Sequence, residues 1–201
     1  MNLSHLPEIL TNEPGYRLKQ IKKAVFSDFV TSWDQVMELP KTLRETLNNE
    51  CPLEIQAETQ VSQDENTVKT LIRLPDDKLV ETVLIKHATG RNTVCISTMV
   101  GCPMKCAFCA TGSMGFSRSL TTDEIIEQVL FFSRLLKDSE ERVGSIVFMG
   151  MGEPLLNYDN VISAVRVLND ALAFGIGIRH ISISTCGIID GIKKLQRERA
   201  R

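Results

Sequence analysis

The 201-residue chain has few aromatic residues, no excess of charge of either sign and no long apolar run. Its 23 Lys and Arg oppose 25 Asp and Glu, so no overall basic field points to nucleic acid, and any RNA contact must come from local patches. A stretch of about 18 apolar residues is lacking, and residues 1–10 have neither the positive start nor the apolar run of a secretory signal. We therefore expect a cytoplasmic protein without a membrane segment.

A second zinc-type pair of cysteines or histidines is also missing, although three of the six cysteines, Cys102, Cys106 and Cys109, lie close together. Structural zinc needs four ligands, usually as two separated pairs. Three thiolates on one loop can instead each bind a different iron of a cubic iron–sulfur cluster and leave the fourth iron open to a small molecule. The alternatives are buried thiols or a disulfide, and a disulfide is disfavoured in a reducing compartment.

Three regions of different pattern follow one another along the chain. Residues 1–50 show helical spacing, residues 51–92 are rich in β-forming residues, and residues 93–201 alternate strands with helices. This order predicts a small helical accessory domain, a short antiparallel β extension, and an α/β core with a parallel sheet and right-handed crossovers. The predicted strands are 54–61, 67–74, 79–86, 93–98, 145–149 and 179–185, and the predicted core helices are 122–137, 158–173 and one from 187.

Ligands of parallel α/β sheets bind at the carboxyl ends of the strands. Three segments follow the predicted parallel strands, namely the cysteine loop, Gly150–Glu153 and Ser184–Thr185, so we expect them on one rim. Glycines in the second segment permit close backbone approach, and the Glu153 carboxylate can accept hydrogen bonds from an amino group. The alternatives are a plain glycine turn with a surface glutamate and a strand-end hydroxyl that bonds its own backbone.

The cysteine loop resembles the signature of the radical S-adenosylmethionine (SAM) enzymes, whose open iron is chelated by the amino and carboxylate groups of SAM. With its flanking residues and a second run, the chain is similar to the radical SAM ribosomal-RNA adenine methyltransferases of the dual-specificity RlmN type and their relative Cfr. The similarity covers about the N-terminal half of that family, so it implies an incomplete radical SAM (β/α) partial barrel and a fragment. The residues that carry it are Cys95–Ser97, Cys102–Gly112 and Phe148–Asn157.

Cluster ligands, cofactor contacts and two catalytic residues are implied by the resemblance. On pattern alone a strand glutamate faces solvent, and a cysteine or phenylalanine between apolar neighbours packs in a core, so these roles rest on the resemblance. The implied set is Cys102, Cys106 and Cys109 for a [4Fe-4S] cluster, Phe108, Gly152, Glu153 and Ser184 for the cofactor site, Glu81 as general base, and Cys95 as the residue that resolves a protein–RNA crosslink through a transient disulfide. Cys51 and Cys186 are interpreted as structural, and Cys186 also lies beside the predicted rim, where the resemblance gives it no role.

The resemblance also implies a reaction, which is methylation of an adenosine ring carbon in 23S rRNA and possible action on tRNA. One SAM would methylate a cysteine, and a second would be cleaved at the cluster to a 5′-deoxyadenosyl radical that takes hydrogen from the new methyl group. That cysteine, in its Ala-Cys-Gly context, is missing from the sequence. Glu153-Pro154 favours C2 over the C8 chemistry of Cfr. A truncated, non-catalytic cluster- or RNA-binding remnant is the alternative.

Partners follow from the same resemblance. An electron donor such as flavodoxin or ferredoxin would reduce the cluster, and the protein would act as a monomer. Arg17, Lys19, Lys22 and Lys23 set four positive charges beside an apolar stripe in the helical region. A solvated helix face and an RNA-docking helix are both compatible with that pattern.

Overall fold

A six-stranded mixed sheet organises residues 3–198, the part of the chain that the computed structural model describes. The order across the sheet is β1-β2-β3-β4-β7-β8; the first three neighbouring pairs are antiparallel and the last two are parallel. A separate antiparallel pair, β5 and β6, brackets the cysteine loop. The strands are β1 (Ala57–Val61), β2 (Thr67–Arg73), β3 (Leu79–Lys86), β4 (Asn92–Cys95), β5 (Met99–Gly101), β6 (Phe116–Ser119), β7 (Val143–Phe148) and β8 (Ile181–Ile183).

Helices connect the parallel strands and cover one face of the sheet. The apolar residues of that face and of the two long connecting helices belong to a single buried cluster, which includes Leu84, Val94, Ile146, Phe132 and Leu168. The helices are α1 (Leu6–Ile9), α2 (Tyr16–Phe26), α3 (Lys41–Glu50), α4 (Ala110–Ser113), α5 (Thr122–Lys137), α6 (Tyr158–Asn169) and α7 (Ile189–Leu195). The predicted α/β class with parallel and antiparallel strands is confirmed.

The opposite face of the sheet, called here the open face, carries side chains that are half-buried or exposed. Strand register places Val83, Cys95, Val147 and Ser182 directly across from one another on β3, β4, β7 and β8. Because side chains alternate between the two faces, Glu81 lies on the open face as well. No helix within residues 3–198 is long and apolar enough to cross a membrane.

The N-terminal helices pack on the helix layer of the sheet. Arg134 of α5 donates to the carbonyls of Leu53, at 2.7 Å, and Val30, at 2.5 Å, and the Trp33 indole donates to the Cys51 carbonyl at 2.7 Å. The buried cluster runs from Leu6 to Ile176 without a break between regions. The division into domains 1–50, 51–92 and 93–201 therefore stays a prediction.

Three of the four cations in the predicted basic segment form ion pairs within the protein. Lys22 lies 2.8 Å from Asp170, Lys23 lies 2.9 Å from Asp28, and Arg17 lies 3.6 Å from Glu13. The Lys22 pair joins α2 to the end of α6. These contacts favour a structural role for much of the segment's charge.

Several predicted boundaries differ from the structure. The strand predicted over 93–98 ends at Cys95, because the Ser97 backbone pairs with the Gln128 side chain instead of a neighbouring strand. The predicted strands 54–61 and 179–185 shorten to β1 and β8, and the helix predicted over 158–173 ends at Asn169, where Asp170 becomes extended. The β5–β6 hairpin is not among the predicted strands.

Candidate functional site

The three segments expected on one rim do lie together at the carboxyl ends of β4, β7 and β8. The Met151 carbonyl accepts hydrogen bonds from the amides of Thr98, at 2.8 Å, and Met99, at 3.2 Å, which tie the second segment to the start of the cysteine hairpin. The Glu153 carboxylate accepts a hydrogen bond from the Cys186 amide at 2.8 Å, which ties it to the segment after β8. Backbone and carboxylate contacts thus join all three.

The cysteine loop is the tip of a hairpin whose strands are β5 and β6. Its first cysteine, Cys102, is only 8% exposed, and its amide donates to the Gly115 carbonyl at 2.8 Å. Gly101 has φ +75°, and a Cβ there would lie 2.0 Å from the same carbonyl oxygen. Only glycine can occupy this position, so the close approach of Gly101 to the Gly115 carbonyl fixes where the loop begins.

Local backbone bonds shape the rest of the loop. The Cys109 amide donates to the Cys106 carbonyl, and the Gly112 amide to the Cys109 carbonyl, each at 3.0 Å. A Cβ on Gly112 would lie 3.0 Å from the Cys106 nitrogen, so the turn needs a small residue there. Hydrogen bonding from the Gly112 amide, with a further contribution from Thr111, holds the pKa of the Cys109 thiol below its ordinary value. The thiolate form that binds iron is therefore favoured at Cys109.

The donor set fits an iron–sulfur cluster by its chemistry. Cys102, Cys106 and Cys109 are free thiols, so the disulfide alternative is not what the structure shows. Within residues 3–198, no three Cys, His, Asp or Glu side chains come close enough together to hold one metal ion. A single ion draws its ligands to one point, whereas each thiolate of a cubic cluster binds a separate iron. Cys102, Cys106 and Cys109 offer three thiol donors on one loop.

The turn after β7 packs closely against the residues at the start of the hairpin. A Cβ on Gly150 would lie 2.6 Å from Ser97 Oγ, and a Cβ on Gly152, which has φ +102°, would lie 2.6 Å from Met99 Cβ. The sequence predicted that these glycines allow close backbone approach. In the structure, Gly150 approaches Ser97, which follows β4, and Gly152 approaches Met99, the first residue of β5.

Glu153 lies in this turn and is 4% exposed. Its carboxylate accepts hydrogen bonds from the amides of Leu155, at 3.0 Å, and Cys186. Burial raises the pKa of Glu153, but these backbone hydrogen bonds outweigh it and hold the pKa below its ordinary value. The side chains of Thr185 and Cys186 contribute further hydrogen bonds to this carboxylate. A cofactor amino group would therefore meet an ionised carboxylate that is already held in place.

The open face brings Glu81 and Cys95 together below the rim. Cys95 lies directly across from Val83, and Glu81 is two residues from Val83 on the same strand, so the pair is diagonal, roughly 7–8 Å apart. Burial raises the pKa of the Cys95 thiol and the nearby Glu81 charge raises it further, against a hydrogen bond from the backbone of Met149. Cys95 is therefore held as a thiol.

Glu81 keeps much of the solvent contact that the strand pattern alone predicts for a glutamate. Its side chain is 39% exposed and forms an ion pair with Lys69 at 2.5 Å. Its backbone is joined to the rim, because its amide donates to Met151 Sδ at 3.4 Å and its carbonyl accepts from Ser97 Oγ at 2.5 Å. The carboxylate is thus placed at the site, but beside an ammonium group and solvent.

Two predicted cofactor residues are exposed. Phe108 is 94% exposed, so it is not a core residue, and its position in the cysteine loop leaves its ring available to a bound group. Ser184 directly follows β8 and is exposed, and its amide donates to the Phe148 carbonyl at 3.4 Å. The structure places both residues on segments of the rim.

The structure places Cys186 at the rim, on the segment that follows β8. Its amide donates to the Glu153 carboxylate. Its thiol pKa is raised to about 11 by partial desolvation of this exposed residue, by hydrogen bonding to Glu153 and by the charges of Glu153 and Cys106. Its position two residues after Ser184 was the signal for this placement. Cys51, by contrast, is buried as expected.

Some of the residues that anchor the hairpin give no signal in the sequence. The Gln128 side chain accepts from the Ser97 amide at 2.7 Å and donates to the Ser97 carbonyl at 2.9 Å. Arg118 of β6 forms paired hydrogen bonds of 2.8–2.9 Å to both Asp76 and Glu124. Long-range polar contacts of this kind leave no periodic pattern in a sequence.

The mixed sheet with three thiols on one loop at its rim defines an α/β protein whose donors fit an iron–sulfur cluster, and comparison with known families identifies the class. A model of the radical SAM superfamily matches residues 96–200, and the chain belongs to that superfamily. The family predicted from the cysteine motif is thereby confirmed. A solved structure titled as a radical SAM methyltransferase from Sphaerobacter thermophilus superposes with a TM-score of 0.91 at 38% identity, covering 98% of this chain and 59% of that one.

Within the superfamily, the similar proteins bear the names of RNA methyltransferases. A "Probable dual-specificity RNA methyltransferase RlmN" of Dictyoglomus turgidum is 44% identical over 92% of this chain and 53% of its own length. A "Ribosomal RNA large subunit methyltransferase N" of Nitrosopumilus maritimus is 43% identical over 91% of this chain and 55% of its own. The chain thus spans about half the length of the curated relatives it matches.

Proposed function

We propose that this chain carries the cluster- and SAM-binding part of a methyltransferase that modifies C2 of an adenine in 23S rRNA and also acts on tRNA. The observation that carries the proposal is the single rim on which the three-cysteine hairpin, the Glu153 turn and the segment after β8 meet. The names of the relatives supply the RNA substrate class. The choice of C2 rests on Glu153-Pro154 alone.

The hairpin cysteines are proposed to hold the cluster, which when bound would supply the electron that cleaves SAM. Cys102, Cys106 and Cys109 would each bind one iron, and the exposed Phe108 ring would cover the cluster from solvent. Glu153 would accept a hydrogen bond from the SAM amino group, and Ser184 would contact SAM from the end of β8. Gly152 allows the turn that presents Glu153.

Glu81 and Cys95 are proposed to act on the RNA base from the open face. Their placement on one face, below the cofactor segments, supports this assignment. Glu81 would accept the proton that the adenine ring carbon loses. In this structure the Lys69 ammonium is paired with the Glu81 carboxylate, so it would move away or be displaced as the base enters. Cys95 would lose its proton and bond to the sulfur of the crosslinked cysteine as the carbon–sulfur bond breaks. The carbon would keep the bonding electrons and take up a proton, which releases the methylated base and leaves a transient disulfide.

Residues 1–201 alone are proposed to bind cluster and SAM without transferring a methyl group. None of the six cysteines has the Ala-Cys-Gly context implied for the methyl carrier, since Cys186, the nearest match, follows a threonine. A monomer that receives electrons from flavodoxin or ferredoxin in the cytoplasm completes the proposal. The alternative, a non-catalytic remnant, predicts the same cluster but no methyl transfer when the further segment of the relatives is supplied.

The ligand assignment is tested by anaerobic reconstitution with iron and sulfide. We expect about four irons and four sulfides per wild-type chain, and a loss of that cluster in Cys106→Ala. The matched control is Cys51→Ala, which removes a buried cysteine away from the hairpin and should retain the iron. A full cluster in Cys106→Ala, or zinc in the wild type, would contradict the assignment.

The substrate is tested by isotope transfer. Reconstituted protein, extended by the segment that its relatives carry, is incubated with methyl-labelled SAM, reductant and 23S rRNA, and the modified nucleoside is located by mass spectrometry. Label at adenine C2 is expected. Label at C8 would favour the Cfr-like alternative, and no label with an intact cluster would favour the remnant.

A further inference from the structure

The neck of the cysteine hairpin is the place where the chain enters β5 and leaves β6. Thr98 stands immediately before β5 and Leu120 immediately after β6, and the Leu120 amide donates to the Thr98 carbonyl at 3.0 Å. Everything between these two residues, including all three predicted cluster ligands, belongs to the hairpin. The hairpin strands are only three and four residues long. Such short strands need support from outside themselves.

Asn157 lies across this neck. Its Nδ2 donates to the Thr98 carbonyl at 2.9 Å and to the Leu120 carbonyl at 2.8 Å, so one amide group uses both of its hydrogens to bridge the two sides. Its Oδ1 accepts from Asn160 Nδ2 at 2.8 Å, which orients the amide. The residue is 5% exposed, and the two carbonyl contacts are buried.

The same short segment carries the other half of the site. Asn157 ends the one-turn helix Pro154–Asn157, which begins directly after Glu153. Met151, two residues before Glu153, also holds the hairpin root through its carbonyl. The segment from Met151 to Asn157 therefore contacts the hairpin at both of its ends, and Glu153 lies between these two contacts in the sequence.

We propose that Asn157 is a positioning residue that closes the neck of the cysteine hairpin and couples the placement of its three thiols to the turn that carries Glu153. The proposal rests on the proposed function, because holding a cluster is what gives this placement its purpose. Asn157 touches neither cofactor nor substrate in this scheme. It acts through the Thr98 and Leu120 carbonyls.

The test replaces Asn157 by leucine, which has nearly the same volume and no donors. Amide hydrogen exchange is measured on the protein without added iron, by mass spectrometry of peptides covering residues 98–120. Losing two hydrogen bonds of ordinary strength should open the neck roughly 30-fold more often. Exchange of the Cys102 and Leu120 amides, which bond across the hairpin, should accelerate by that factor relative to amides of β2 and β3.

Two further variants make the test specific. Arg134→Met removes a different side chain that bridges two carbonyls, those of Leu53 and Val30, away from the hairpin. It should lower stability without accelerating hairpin exchange relative to β2 and β3. Asn160→Ala leaves the Asn157 amide in place but removes its orienting donor, and should accelerate hairpin exchange roughly fivefold. Asn160→Ala decides the question if Asn157→Leu does not fold.

Iron retention supplies the second readout. After anaerobic reconstitution and desalting, Asn157→Leu should retain less iron per folded chain than Arg134→Met. Equal hairpin exchange in wild type and both asparagine variants, or equal iron retention in Asn157→Leu and Arg134→Met, would overturn the proposal. If wild-type protein binds no iron, the proposed function fails, while the exchange experiment still decides whether Asn157 closes the neck.

Discussion

The sheet and the cysteine hairpin are held by different kinds of contact. The sheet depends on large apolar side chains that belong to one buried cluster, with Phe132, Leu84 and Ile146 at 0% exposure. The hairpin depends on single polar contacts with its surroundings, namely those that the Asn157 amide makes to it and those that its own Arg118 makes outward, and on Gly101, which no other residue can replace. Apolar burial tolerates small shifts, whereas a hydrogen bond is lost with its geometry. The hairpin can therefore be altered while the sheet stays folded.

The largest expected loss of stability comes from the buried apolar cluster on which the sheet depends. Phe132→Ala removes a fully buried ring and should lower the free energy of unfolding by about 3–5 kcal/mol. Its neighbour Phe131 is only partly buried, so Phe131→Ala should cost less. Urea unfolding measures both. If Phe132→Ala accelerated amide hydrogen exchange in the hairpin more than in the sheet strands, the view that different contacts hold the two regions would be wrong.

An intermediate effect is expected at the start of the cysteine loop. Gly101→Ala combines a left-handed backbone with a Cβ that would lie 2.0 Å from the Gly115 carbonyl, and should cost about 2–4 kcal/mol. Gly115→Ala is the matched control, since its φ is +81° but no atom lies within 4 Å of the added Cβ, and it should cost only about 1–2 kcal/mol. Equal unfolding free energies would show that the close contact does not constrain the loop.

The smallest expected effect is acid-dependent. The hydrogen bond from Arg118 lowers the pKa of Asp76 to about 2, so this ion pair stabilises the fold above the ordinary aspartate pKa near 4, and the contribution is lost as the pH falls toward 2. Arg118→Met should therefore show a smaller loss of stability between pH 5 and pH 2 than wild type does.

Lys78→Met is the control for that titration. Lys78 also faces Asp76 but at 3.9 Å, so its removal should leave most of the acid dependence in place. Urea midpoints measured across the pH range decide between the two variants. If Arg118→Met retained the wild-type pH dependence and Lys78→Met lost it, the anchoring role of Arg118 would be wrong.

The same contrast explains what the sequence could predict. Thr121 and Glu124, three residues apart, have the spacing of a capping box at the start of α5, and both of its hydrogen bonds are present. The bounds of that helix, 122–137, were also predicted, because its apolar spacing continues to its last turn. Local and periodic features of this kind are written in adjacent residues.

Contacts between distant residues were not predictable in that way. Asn157 reaches a carbonyl 59 residues away, and Gln128 reaches one 31 residues away. β6 has only four residues and no clear alternation, so the hairpin strand gave no signal. The cysteine spacing predicted the chemistry of the loop, but the groups that hold the loop could be found only once the fold brought them together.

We propose that the three thiols of the hairpin hold a cluster with an iron open to SAM. Electron paramagnetic resonance of the reconstituted, reduced protein tests this proposal most directly. We expect a four-iron signal that changes when SAM is added and is absent in Cys106→Ala. A signal unaffected by SAM, or bound zinc in place of iron, would contradict it.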